Sequence, residues 1–159
     1  IVEKNAKYIR ADIRKLPFKN NYADYVELFE VLEHLPINDV VPVLKEIYRV
    51  MKPSAKLLLH VPNFDGLMKD WLEIMTSNFN PKSYTDVMET IYGNQQAGGE
   101  FHQSAFNSQY LNWCLLQAGF KEGKLFVIKK YARIPDFGSE KMGPDSMARN
   151  ETVYSEVIK

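Results

Sequence analysis

The sequence predicts an α/β fold. Three observations carry that expectation: strand-like and helix-like segments alternate, one apolar run is too continuous to face water, and an amphipathic helix stands between two strands. The run is Lys56-Leu57-Leu58-Leu59-His60-Val61. A strand of this kind is expected to be covered on both faces, as in a parallel sheet flanked by helices. Upstream, residues 25–29 are β-rich and follow the polar stretch Lys19-Asn20-Asn21, which predicts another strand. Between the two, Val40, Val43, Leu44, Ile47 and Met51 recur at helical spacing as one stripe, with Lys45, Glu46 and Arg49 directed elsewhere. Asn38 or Asp39 is the expected cap, and Pro53 the expected stop. Strand, helix and strand in this order make a βαβ unit, whose crossover is almost always right-handed.

The other elements follow in order. Residues 7–11 suit a short strand, ended by Asp12 and the Leu16-Pro17-Phe18 turn. Beyond Pro62-Asn63, Leu67, Met68, Trp71, Leu72 and Met75 share one helical face. Tyr84, Val87, Met88 and Ile91 share another, with Ser83 available as a cap. Residues 93–104, with three glycines and several amide side chains, read as a loop. Asn107 caps a further helix with Leu111, Cys114, Leu115 and Ala118 as its stripe and Gly119 as its stop. Residues 125–128 read as a strand, 138–150 as a polar connection, and 152–158 as a final strand. No internal repeat or low-complexity tract interrupts this pattern.

A chain of 159 residues suits one domain, here with a helical and loop insertion at about residues 64–106. Lys plus Arg and Asp plus Glu number 20 each, so net charge gives no reason to expect nucleic acid or an anionic membrane as partner. The single cysteine, Cys114, cannot form an internal disulfide and favours a reducing, cytoplasmic setting; burial and inertness are expected of it. No apolar run approaches the ~20 residues that span a bilayer, and nothing resembles a signal peptide. The chain opens on Ile1 without a turn or cap, which reads as a cut edge.

Chemistry-bearing motifs are sparse. His34, His60 and His102 stand far apart and there is no cysteine cluster, so no metal signature is expected. Phosphate loops, nucleophile elbows and glycine-rich dinucleotide fingerprints are absent from the sequence. Composition and spacing by themselves reach a soluble α/β domain.

The wording of several segments goes further. Ala11-Asp12-Ile13-Arg14-Lys15-Leu16-Pro17-Phe18, then Asp24, then Val31-Leu32-Glu33-His34-Leu35, then Glu46-Ile47-Tyr48-Arg49-Val50-Met51-Lys52-Pro53 form an ordered series. It resembles the middle of class I S-adenosylmethionine-dependent methyltransferases of the ubiquinone and menaquinone methylase type, and residues 57–63 match the strand that follows there. Tyr92-Gly93-Asn94-Gln95, His102, Phe106 and Ala118-Gly119-Phe120 are similar to a bacterial and archaeal methyltransferase subgroup. Together the phrases cover most of residues 7–130.

The resemblance implies a Rossmann-like three-layer sandwich: a mostly parallel sheet with an antiparallel C-terminal strand, the first strands and the glycine-rich turn missing. It implies S-adenosylmethionine as cofactor, bound beyond the C-terminal ends of the strands. Asp12 would accept from the adenine amino group and Ile13 would pack on the ring. The backbone of Leu28, Phe29 and Glu30 would pass beside the methionine part, with Glu33 and His34 facing the same crevice. Glu3 lies near the place of the acid that grips the ribose but does not match it. The acceptor would be a small molecule or a glycan precursor, met by His34, Tyr92, Gln95 and His102, with His34 or His102 as base and the choice open. A homodimer or an upstream segment would cover the missing strands.

Plainer readings stand beside these. Asp12 also suits a turn, Ile13 the core, and His34 a local cap. Gln95 and His102 fall where polar loop residues are ordinary. Trp71 and Met75 suit core or lid packing, and the helix dipole accounts for Arg49 and Lys52. At the level of function, the alternative is a degenerate methyltransferase fold serving a binding partner without catalysis. A nucleotide-sugar-binding domain is a third reading, against which the Asp12 and His34 phrases argue.

Overall fold

The computed structural model describes residues 7–77, 79–96, 100–121, 124–128 and 152–159. Its centre is strand β2 (Met51–Pro62), which pairs in parallel with β1 (Ala23–Phe29). On its other side β2 meets β4 (Thr152–Ile158) in antiparallel register, and β4 in turn meets β3 (Lys124–Ile128), also antiparallel. The order is β1-β2-β4-β3. Three strands therefore point one way, and the last strand of the chain runs against them, as expected.

The apolar run behaves as its composition demands. Leu57, Leu59 and Val61 are fully buried on one side of β2, while Leu58 and His60, pointing the other way, are buried as well. Leu57, Leu59 and Val61 join Leu28 and Val157 in a single apolar cluster. Val40, Val43, Leu44 and Ile47 of helix α1 (Ile37–Val50) and Leu111, Cys114, Leu115 and Ala118 of α4 (Ser108–Ala118) complete it. A fully buried side chain of this size is worth roughly 1.5–3 kcal/mol, so this layer dominates the stability of the described part.

The helix ends differ from expectation in places. Helix α1 begins at Ile37 behind Pro36, so Asn38 and Asp39 lie in its first turn and no side chain caps it. Pro53 does not stop it. The backbone turns extended at Met51, and Pro53 falls where the β1–β2 register shifts between the pairs Ala23↔Met51 and Tyr25↔Lys56. A residue without an N–H is tolerated at such an irregularity. Asn80, not Ser83, caps α3 (Pro81–Tyr92), accepting from the amides of Lys82 and Ser83, and Pro81 occupies the first turn. Asn107 and the left-handed Gly119 (φ 101°) bound α4 as expected.

Two expectations fail. Residues 7–11 form no strand: they are exposed coil, with Tyr8 82 % accessible, and have no ladder partner among the described residues. A strand needs that partner more than it needs β propensity. In α2 (Phe64–Thr76) the buried positions are Gly66, Leu67 and Ile74, whereas Trp71, Leu72 and Met75 are exposed. The helix packs chiefly on α3, so its inner face is narrower than its apolar content. The expected connection at 138–150 lies outside the described residues.

Candidate functional site

The C-terminal end of β1 turns sharply. Glu30 takes a left-handed backbone (φ 53°), its amide donates to the His60 carbonyl at 3.1 Å, and its carboxylate lies 3.0 Å from His60 Nδ1. Phe29 stacks on the His60 ring with centroids 4.2 Å apart. The chain then enters a single 3-10 turn, Leu32–His34. Leu32 anchors this turn by full burial, and Glu33, next to it, is only 1 % exposed.

A second segment, about 70 residues further along the chain, is stitched to this turn by hydrogen bonds. The Glu33 carbonyl accepts from the amides of Gln103 (2.7 Å) and Ser104 (3.1 Å). Ser104 Oγ donates to the Leu32 carbonyl at 3.0 Å, and Gln103 Nε2 to the His34 carbonyl at 2.8 Å. Gly93 permits the approach: at φ 78°, a Cβ there would stand 1.7 Å from the Glu100 carbonyl oxygen.

These links bring His34 and His102 edge to face, with ring centroids 4.9 Å apart. The histidines are thus distant in sequence but adjacent in space, which corrects the ground on which a metal site was not expected. Nδ1 of His34 donates to the Phe101 carbonyl (3.1 Å) and Nδ1 of His102 to the Thr90 carbonyl (2.8 Å). Each ring, when neutral, keeps its lone pair on Nε2. Burial lowers the His102 pKa below its ordinary value, so that lone pair is free at neutral pH.

Glu33 faces the same place. Both its carboxylate oxygens are buried and accept no hydrogen bond from another of the described residues, its own backbone amide being the one group that eases the charge. Burial, reinforced by the nearby Glu30 charge, pushes its carboxyl up to about 8. A small cavity of about 10 Å³ adjoins it, lined in part by Glu33, His102, Phe64, Leu67 and Phe106; this is room for about one water.

Among the other residues singled out by sequence, Leu28 is buried in the core. Tyr92 accepts the His102 amide through its backbone carbonyl while its ring is exposed. Gln95 is exposed with a left-handed backbone and makes no hydrogen bond to the histidine pair among the described residues. Cys114 is buried and its thiol pKa is raised by burial, as its inert reading expects.

Asp12 sits in an exposed turn, its side chain 53 % accessible. Its carboxylate accepts from the Arg14 amide (2.9 Å) and from the Arg14 guanidinium, which holds the carboxyl below its ordinary value. Arg14 also reaches Asp39 at 3.4 Å, tying this turn to the start of α1. Ile13 packs against the main core cluster. An amino donor arriving at Asp12 finds an ionised, accessible acceptor that it must share with Arg14. The donor chemistry fits an adenine edge.

Comparison with known proteins agrees with the fold. Residues 2–59 match the family model of a methyltransferase domain. The ubiquinone/menaquinone biosynthesis C-methyltransferase UbiE of Rickettsia bellii is 31 % identical over 123 residues, 74 % of this chain and 47 % of that protein. The cycloartenol-C-24-methyltransferase of Arabidopsis thaliana is 30 % identical over 120 residues, 76 % of this chain and 31 % of that protein. Among solved structures, a SAM-dependent methyltransferase from Archaeoglobus fulgidus superposes with TM-score 0.60 at 13 % identity, covering 99 % of this chain and 70 % of that one. One from Methanosarcina mazei gives 0.61 at 17 %, covering 94 % and 65 %.

Sequence and fold together assign the chain to the class I S-adenosylmethionine-dependent methyltransferases. It spans between about a fifth and a half of the length of the curated relatives it matches.

Proposed function

We propose that the protein transfers a methyl group from S-adenosylmethionine to a small-molecule acceptor, a glycan precursor being one such class. The observation that carries this reading is the methyltransferase-domain match over residues 2–59, the segment that contains the Asp12 turn, the end of β1 and the Glu33–His34 turn. When bound, S-adenosylmethionine supplies a methyl group on a sulfonium already activated for in-line displacement.

The chain's own task is then positioning. Asp12 accepts from the adenine amino group and Ile13 lies against the ring. The backbone of Leu28, Phe29 and Glu30, which bends at the left-handed Glu30, passes beside the methionine part. On the acceptor side stand His34 and His102, with Tyr92 and Gln95 further out on the loop. Either imidazole, with Nδ1 committed to a backbone carbonyl, can take a proton from an acceptor hydroxyl at Nε2.

Calorimetry of the intact protein against S-adenosylhomocysteine tests the reading. Binding in the micromolar range is expected, weakened about tenfold in Asp12→Ala, the loss of one hydrogen bond to a charged acceptor. A folded protein that takes up no S-adenosylhomocysteine contradicts the methyl-donor reading; equal affinity in the variant contradicts the role of Asp12.

A further inference from the structure

The geometry points to a divalent transition-metal site made by Glu33, His34 and His102. One nitrogen from each ring and one carboxylate oxygen all lie within 4.8 Å of one another. Donor atoms around a bound zinc ion stand about 3–3.5 Å apart, so small side-chain rotations close this set around an ion.

Three features make it more than a chance cluster. Each imidazole already carries the support that ligating histidines have, Nδ1–H donated to a backbone carbonyl, which fixes the ring and leaves Nε2 to bind. The carboxylate between them is 1 % exposed, with neither oxygen hydrogen-bonded to another of the described residues and only its own backbone amide to ease it. Buried acceptors in that state are costly, and a cation answers both oxygens at once. Finally, the two segments that carry the donors are held in register by backbone bonds from Gln103 and Ser104 to Glu33, so the set does not depend on flexible surface side chains. The Glu30 carboxylate, which acts electrostatically on Glu33 and His102 alike, adds negative charge beside it.

The donor set selects the metal class. Two imidazoles with one carboxylate suit zinc, cobalt, nickel or iron(II), whereas magnesium and calcium prefer oxygen donors throughout. Three protein ligands leave at least one position for water or for an oxygen of a bound molecule. With an ion in place both Nε2 lone pairs are occupied, and activation of an acceptor hydroxyl passes from the imidazoles to the metal.

The test uses the intact protein, stripped with EDTA, dialysed, and titrated calorimetrically with Zn2+ and with Mg2+. One Zn2+ per site is expected with a dissociation constant on the order of micromolar or tighter, and Mg2+ at least about a hundredfold weaker. Co2+ should give visible d–d absorption that Zn2+ bleaches. His102→Ala and Glu33→Gln should each weaken Zn2+ at least about tenfold. His34→Asn, at the more exposed ring, serves as the third variant should either of the others fail to fold by circular dichroism. No Zn2+ uptake by the folded parent overturns the site, as does Zn2+ affinity unchanged in the folded variants, or Mg2+ bound as tightly as Zn2+. Because metal uptake is read directly, its failure is separate from any failure to bind S-adenosylhomocysteine.

Discussion

Glu46 shows how one side chain can fasten the segment that carries Asp12. Its carboxylate accepts the Leu16 amide at 2.7 Å and the Arg49 guanidinium through both oxygens. Arg49 extends the link, donating to the Phe18 carbonyl (2.9 Å) and to Asn20 Oδ1 (2.8 Å). The residues after Asp12 thus hang on α1 rather than on a strand ladder. Glu46→Ala is expected to cost about 1–3 kcal/mol, read from urea unfolding at neutral pH. The Arg49 guanidinium holds the Glu46 carboxyl below its ordinary value. A carboxyl whose folded pKa is depressed stabilises the fold above its unfolded pKa, and that contribution is lost as pH falls through the folded value. The parent should therefore lose stability on acidification below about pH 4.5 more steeply than the alanine variant.

At this scale the sequence was legible for Asp12, Ile13 and the two histidines as residues worth watching, and illegible for what they touch. Arg14 as the partner of Asp12 could have been suspected from its spacing of two, which suits a turn. Glu33 was legible as a residue of the crevice after β1, but not for its burial. A glutamate in Val31-Leu32-Glu33-His34-Leu35 reads as the one charged residue of an apolar run, and only the turn of the chain reveals that it is buried with no side-chain partner among the described residues.

Among the elements, the clearest in sequence were those with both a stripe and a chemical stop. Helix α4, from the Asn107 cap to Gly119, lies where its residues place it. Helix α1 kept its buried stripe but lost its expected ends, because the backbone changed conformation at Met51 before Pro53 could impose it. Helix α2 failed for a different reason: periodicity records which residues are apolar, not how wide a face the neighbours cover. Leu72, 57 % exposed, belongs to the stripe by spacing and to the surface by packing.

Helix α1 also contains Pro42 in its interior, on an exposed position. Proline there has no N–H for the carbonyl of Asn38, four residues earlier, and its ring crowds that carbonyl. Asn38 is exposed, so water can serve the carbonyl, but the intrahelical hydrogen bond is still lost. Pro42→Ala is expected to raise stability by about 1–3 kcal/mol, seen as a higher thermal midpoint with the far-ultraviolet spectrum of the fold retained. An unchanged or lower midpoint would mean that the proline's restriction of the unfolded chain outweighs its cost in the helix.

For the molecule as a whole, the α/β class and the reversed final strand were legible, while the sheet order was not. Nothing in a chain of alternating elements says that β4 inserts between β2 and β3; that pairing joins segments remote in sequence, and register is set by packing on the shared core. The same topology explains why β1, β2 and their following turns can form one rim. Phe29 and Glu30 end β1, His60 stands beside them on β2, and the parallel pairing of these strands aligns their ends. Of the described helices, none is long and apolar enough to cross a membrane.

The account rests on a methyl donor lying along that rim. Hydrogen exchange of the intact protein, followed by mass spectrometry with and without saturating S-adenosylhomocysteine, examines this directly. Slower exchange is expected in peptides covering residues 11–18 and 28–36, with the α4 peptides unchanged. Saturated protein whose protection appears elsewhere, leaving both of those peptides unaltered, would contradict it.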